Sequence, residues 1–231
     1  MIKSFLSIII ISTIVYAQQQ VILVVADDFN TSKAKLECYE GSTKVFETID
    51  VTLGKKGLGW GLGISEMSKK VTEPIKKEGD KKAPIGIFKL TKLFGYSKSS
   101  TFHMPYLHAT KELICVDDSN SNTYNQIIHM PKTQPQSFEY MKRNDLQYEF
   151  GVVVEHNKKA KYKAGSCIFL HIQKNPHAGT AGCTAMTRQN ILKIMHWLDI
   201  KKNPILIQVP RSKAAQILKM HPELQNSALL K

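Results

Sequence analysis

His171 closes the run Ser166-Cys167-Ile168-Phe169-Leu170-His171, and twelve residues later Cys183 sits inside Gly179-Thr180-Ala181-Gly182-Cys183-Thr184-Ala185-Met186. A thiol becomes a nucleophile when a base lies beside it and its pKa is lowered. The end of a strand holds an imidazole rigidly. A glycine-flanked turn exposes a thiol and aims successive backbone N–H groups at a developing oxyanion. A helix start close behind the turn would favour the thiolate further. The chemistry this pattern suits is nucleophilic catalysis by a cysteine. The same residues also fit a structural histidine and a disulfide-bonded cysteine, because spacing alone does not bring the two side chains together.

The elements that must carry these residues are mainly strands. Val21–Val25 is an apolar β-branched run. Lys35–Tyr39 and Lys44–Val51, separated by Glu40-Gly41-Ser42-Thr43, read as a hairpin. Gly54–Gly63 holds five glycines around Trp60 and reads as a loop, since glycine at that density costs entropy inside an element. Without a Gly-Lys-Ser/Thr ending it is a poor phosphate cradle. Lys69–Lys82, with three Lys-Lys pairs, reads as a solvated loop, and Ile85–Leu90 as a strand. Residues 95–145 read as loops with short helices. Phe150–Glu155 and Cys167–Ile172 are the clearest strands. Behind Cys183, Thr187 caps a helix in which Ile191, Met195 and Leu198 recur at helical spacing, with Asn203-Pro204 ending it. Ile205–Val209 reads as a strand closed by Pro210, and Ser212–Met220 as a terminal helix. Strands dominate without βαβ alternation, so the expected class is mostly β, α+β at the margin.

Composition bounds the compartment and the partners. The chain has 231 residues, 42% hydrophobic and 22% charged, which excludes disordered and collagen-like classes. Lys3 followed by the apolar stretch Phe5–Val15 and by Val15-Tyr16-Ala17 reads as a secretory signal over 1–17. The stretch is too short to span a bilayer comfortably. Residues 18–231 are expected to form one domain with no membrane span after cleavage. The net charge of +13 asks for an acidic partner. Export makes nucleic acid unsuitable, and peptide stems of a cell wall, which carry free carboxylates, fit better. Four cysteines in an oxidising compartment allow up to two disulfides, with the pairing open.

Other clusters have plainer readings. His171, His177, Cys183 and His196 match no common zinc spacing, so no metal and no cofactor is expected. His103, His108, His129 and His221 are isolated. Asp118–Asn122 imitates the start of a calcium loop but continues with Thr123 and has His129 where a bidentate Glu belongs, so a polar turn is expected. Asp117 and Asp118 are candidates for orienting a substrate ammonium. Lys158, Lys159, Lys161 and Lys163 form a basic loop, either a solvated face or an attractor of wall carboxylates. No basic amphipathic helix suits an anionic lipid surface.

His171 with Thr180-Ala181-Gly182-Cys183 resembles the His…[Ser/Thr]-x-Gly-Cys signature of the L,D-transpeptidase (YkuD) family. Ala83-Pro84-Ile85-Gly86-Ile87-Phe88 is similar to its Thr-Pro-x-Gly-x-Phe strand. Glu78-Gly79-Asp80, Cys115-Val116-Asp117-Asp118 and Gly165–His171 look like one bacterial branch of it. The resemblance covers roughly 45–210. It implies a β-rich catalytic domain with a helix after the catalytic Cys, located in the periplasm or cell envelope. The implied reaction is attack on the diaminopimelate–D-alanine bond of a tetrapeptide stem, an acyl-enzyme, and resolution by the side-chain amine of a second stem. By position, Cys183 would be the nucleophile, His171 the base, and the N–H groups around Ala181, Gly182 and Cys183 the oxyanion donors, with Thr180 in the usual Ser position. On that reading any disulfide would use two of Cys38, Cys115 and Cys167, and a backbone carbonyl would suffice to orient His171. Ala185 stands where the family often has Arg, and Ile172 where it often has Gly or Ser. The Ala185 departure keeps L,D-carboxypeptidase activity as an alternative. A non-catalytic wall-binding envelope protein is the alternative of another class, and Cys183 discriminates against it.

Overall fold

Residues 18–65 and 67–231 are described by a computed structural model. The segment 1–17, read above as an export signal, lies outside the described residues.

The apolar runs become strands of one closed sheet. In chain order these are β1 (Gln20–Ala26), β2 (Lys33–Glu40), β3 (Thr43–Lys44), β4 (Ile49–Thr52), β5 (Leu58–Trp60), β6 (Ala83–Gly95), β7 (Tyr106–His108), β8 (Leu113–Val116), β9 (Ile127–His129), β10 (Phe138–Tyr140), β11 (Phe150–Val154), β12 (Phe169–Ile172), β13 (Thr184–Met186) and β14 (Ile205–Pro210). Neighbours run β1-β14-β6-β11-β12-β13-β4-β2, and β2 pairs back onto β1, so the sheet closes into a barrel. Strand content of 34% against 14% helix places the fold in the mostly β class. Closure leaves no open edge on those eight strands. All seven positions of β1 are buried, because the barrel core covers one face and the C-terminal segment, with Ile217, Leu224 and Leu230, packs in the same core.

Helix α1 (Arg188–Trp197) packs on β11 and β12. The Thr187 side chain caps it by accepting from Asn190 N–H, and Ile191, Ile194 and Met195 are buried. The expected terminal helix is a 3-10 turn (Arg211–Lys213) followed by α2 (Ala214–Met220).

Four expectations change. Residues 95–145 contain no helix; they carry β7 and a separate three-stranded sheet in the order β10-β8-β9. All four positions of β8 are buried, so it shows no alternation that would mark it as a strand. The glycine-rich Gly54–Gly63 includes β5, which pairs in parallel with Ala83–Ile85. The second half of the hairpin splits into β3 and β4, both paired to β2. Finally, Lys69–Lys82 is not wholly solvated, because the Lys76 side chain is buried against Asp80.

Candidate active site

Strands β12 and β13 lie side by side in parallel, with Leu170 opposite Thr184 and His171 opposite Ala185. Side chains alternate along a strand, so His171 and Cys183 fall on one face, two rungs apart. Both line a cavity of about 180 Å³ together with Glu139, Arg143, Tyr148 and Lys174. Topology thus brings together the two residues that sequence spacing could only suggest.

The turn that presents Cys183 is tied down on both sides. Thr180 N–H donates to Leu53 O at 2.8 Å, and Lys55 N–H donates to Thr180 O at 2.9 Å. A Cβ on Gly179 would lie 2.6 Å from Lys55 Cα, so only glycine allows this approach. The Thr180 hydroxyl donates to Cys183 O at 2.6 Å and accepts from Gly182 N–H at 3.1 Å. Its place is therefore to shape the turn. Of the N–H groups expected to face an oxyanion, that of Gly182 is engaged by Thr180, and those of Ala181 and Cys183 have no acceptor among the described residues.

His171 is 5% exposed, and burial brings its pKa down to about 4. It is a neutral imidazole at pH 7. Its Nδ1–H donates to Ile172 O at 2.8 Å, which leaves Nε2 as the acceptor nitrogen. The carbonyl is what the residue after the histidine contributes, so Ile172 serves there as well as Gly or Ser would. Cys183 is 6% exposed, and its thiol is pushed up to about 12 by burial first and by the Glu139 carboxylate second. Phe169 N–H, which donates to Sγ at 3.3 Å, works in the opposite direction. The expected low-pKa thiol is thus replaced by a neutral thiol that donates to Cys167 O and shares its cavity with a neutral imidazole. The expected help from a helix start is also absent, because β13 stands between Cys183 and α1 and the helix-dipole effect fades within a turn.

Sequence reasoning missed much of the cavity wall, including Glu139, Arg143, Tyr148 and Lys174. Tyr148 sets its ring 5.2 Å from the His171 ring, edge to face, and donates its hydroxyl to the Glu139 carboxylate. Burial pushes the Glu139 carboxyl up. The Arg143 guanidinium lies 5.1 Å from the Tyr148 ring centroid and is held by Asp145 through two hydrogen bonds of 3.0 and 2.6 Å. Glu139 and Arg143 lie in 95–145, read as loops with short helices, Tyr148 lies just ahead of the Phe150–Glu155 strand, and no motif singled out any of the three.

Cys115 and Cys167 are joined in a disulfide, while Cys38 and Cys183 are free. Cys167 has a φ of +53°. Its N–H donates to the Asn125 side chain at 3.0 Å, and its carbonyl accepts from the Cys183 thiol at 3.5 Å. Nearby, Tyr124 and Ser166 both donate to the Glu78 carboxylate. Among the described residues no group of three or more His, Cys, Asp or Glu is arranged to hold a metal ion. His196 packs against Phe102 and His177 lines a different cavity. Asp118 forms the polar turn, accepting from Asn120 and Gln136 N–H, and Asp117 Oδ1 is buried without a hydrogen-bond partner among the described residues.

No helix among the described residues is long and apolar enough to cross a membrane. No curated protein and no solved structure matches the chain. The family model of the L,D-transpeptidase catalytic domain, YkuD, matches residues 21–207. The match begins at β1, earlier than the motifs near residue 45 suggest, as the barrel requires, since β1 supplies its closing strand. A match over most of the chain carries one conclusion: this protein belongs to the L,D-transpeptidase catalytic-domain family, which acts on peptidoglycan.

Proposed function

We propose that the protein is an exported L,D-transpeptidase that cross-links peptidoglycan stems through a Cys183 acyl-enzyme. The observation that carries this reading is a free Cys183 sharing one cavity with a neutral His171, while Cys115 and Cys167 take up the disulfide. A disulfide also suits a compartment outside the cytoplasm, in keeping with the signal pattern of residues 1–17.

In the first half-reaction, Cys183 Sγ attacks the carbonyl carbon of the diaminopimelate–D-alanine bond. His171 Nε2 takes the thiol proton as the C–S bond forms. That coupling suits a thiol with a pKa near 12, because a free thiolate would be scarce at neutral pH. The N–H groups of Cys183 and Ala181 face the developing oxyanion. The C–N bond breaks, His171 returns the proton to the leaving amine, and D-alanine departs. In the second half-reaction the side-chain amine of another stem attacks the thioester and His171 takes its proton; the C–S bond breaks as the new amide forms, and His171 passes the proton to the departing sulfur, restoring Cys183.

Ala185 is buried between β12 and β4 and contributes no guanidinium. Arg143, which lines the cavity, supplies one instead. Asp145 binds its Nε and Nη2 and leaves Nη1 unspent, and Lys174 lines the same cavity. A guanidinium fixed in this way can grip a stem carboxylate and position the acceptor against water. Hydrolysis is the second reading, and the Ala185 departure is what favours it.

Incubation with tetrapeptide muropeptides followed by mass spectrometry separates the two. Dimers linked between diaminopimelates are expected; tripeptides alone at high acceptor concentration would mean a carboxypeptidase, and no turnover would leave a wall-binding protein. Arg143→Ala should raise KM about tenfold and move product from dimer to tripeptide, one lost charge-assisted contact being worth about 1.5–3 kcal/mol. An unchanged KM and product ratio would remove Arg143 from this role.

A further inference from the structure

Lys76 is among the least exposed charged side chains of the protein, with 3% of its surface accessible. Its Nζ donates to Asp80 Oδ1 at 2.6 Å and to Lys77 O at 2.9 Å. An ammonium has three donors, and the third meets no acceptor among the described residues. The partner is equally fixed: Asp80 also accepts from Lys77 N–H and Lys82 N–H, so the ion pair is knotted into one turn. Three glycines make room for this lysine. A Cβ on Gly59 would lie 3.0 Å from Lys76 N, and one on Gly165 3.0 Å from its Cε. One on Gly182 would lie 3.6 Å from Nζ. The ammonium therefore sits directly behind the Gly182–Cys183 turn, on the protein side of the cavity.

Burying a charge is costly, and a surface lysine would have been cheaper for stability alone. We infer that Lys76 is a positioning residue whose ammonium, seated behind the Gly182–Cys183 turn, supports the negative charge that Cys183 and the oxyanion develop during acyl transfer. The inference rests on Cys183 being the nucleophile. The groups that face Cys183 divide by sign. Glu139 from β10 opposes ionisation and Tyr148 lies beside it; His171 from β12 is neutral; Lys76, paired to Asp80, comes from the segment ahead of β6; Arg143 and Lys174 line the cavity. Of the cations, Lys76 is the one that acts on the thiol, lowering its pKa against the stronger effect of burial. It lies beside the turn and does not line the cavity, so it acts without touching the substrate.

The test reads the thiol rather than turnover. The second-order rate of iodoacetamide alkylation at Cys183 is measured from pH 7 to 9 by peptide mapping of the folded protein. Lys76→Met should slow it tenfold or more at each pH, since one unit of pKa is a tenfold change in thiolate, while Lys76→Arg should keep most of the parent rate. Asp80→Asn, which leaves the ammonium without its counter-charge, should speed alkylation. Identical profiles for the parent and a folded Lys76→Met variant would overturn the inference. If Lys76→Met does not fold, Asp80→Asn decides, with a faster rate in support and an equal or slower rate against. Alkylation reports the thiol whether or not the protein turns over stems. A parent inactive on muropeptides would thus count against the proposed function, and a flat alkylation response in an active parent against Lys76.

Discussion

Replacing Cys183 with Ala should abolish turnover of tetrapeptide stems, with a loss of at least about a thousandfold, and should leave the fold intact. Removing a covalent nucleophile leaves only binding and oxyanion stabilisation, which support little catalysis. Structurally the change is small. The thiol is buried, but its hydrogen bonds, with Phe169 N–H at 3.3 Å and Cys167 O at 3.5 Å, are weak sulfur contacts. The barrel strands on either side are paired through backbone and are untouched. Cys183→Ser should fail almost as completely. Burial already lifts the thiol to about 12, and a hydroxyl in the same place is far harder to ionise beside the same imidazole. Mass spectrometry of the products measures the loss, and circular dichroism shows that the fold is retained. Measurable dimer or tripeptide formation by the Ala variant would sink the mechanism.

The Cys115→Ser/Cys167→Ser double variant should lose roughly 2–4 kcal/mol of stability. The bond closes a 52-residue separation, which is a large restriction on the unfolded chain. Against a total of about 5–15 kcal/mol for a domain of ordinary stability, that is a large share. It should also lower turnover by more than the unfolded fraction explains. The bond ties β8, whose neighbour β10 carries Glu139, to the turn that leads into β12 and His171. The same turn aims the Cys167 carbonyl at the Cys183 thiol. Urea denaturation reads the first effect, and turnover measured well below the unfolding transition reads the second. Cys38→Ala is the control, since Cys38 is a buried thiol of β2 that lines no part of the cavity. A double variant with the parent's denaturation midpoint and turnover would show that the bond is dispensable for both.

The sequence by itself determined the local half of this protein. Runs of β-branched and other apolar residues marked β1, β11 and β14. Thr187 with Ile191, Met195 and Leu198 at helical spacing marked α1, because capping and helical periodicity are properties of neighbouring residues. His171 and the Gly-Cys turn were legible for the same reason. Barrel closure was not, since β1 reaches its partner β14 from the far end of the chain, with Val21 opposite Ile205. Strands β8 to β10 were hidden because burial removes alternation from β8 and the others are three residues long. The partner of Cys115 and the freedom of Cys183 depend on which segments pack together. So does the chemical state of the site. Burial lowers the imidazole to about 4, and burial with Glu139 lifts the thiol to about 12 against the opposing Lys76, the two charges lying 44 and 107 residues from Cys183 along the chain. Residue type and spacing can nominate a nucleophile and a base; only tertiary structure sets the dielectric and the charges around them, because those are contributed by segments that meet only once the chain has folded.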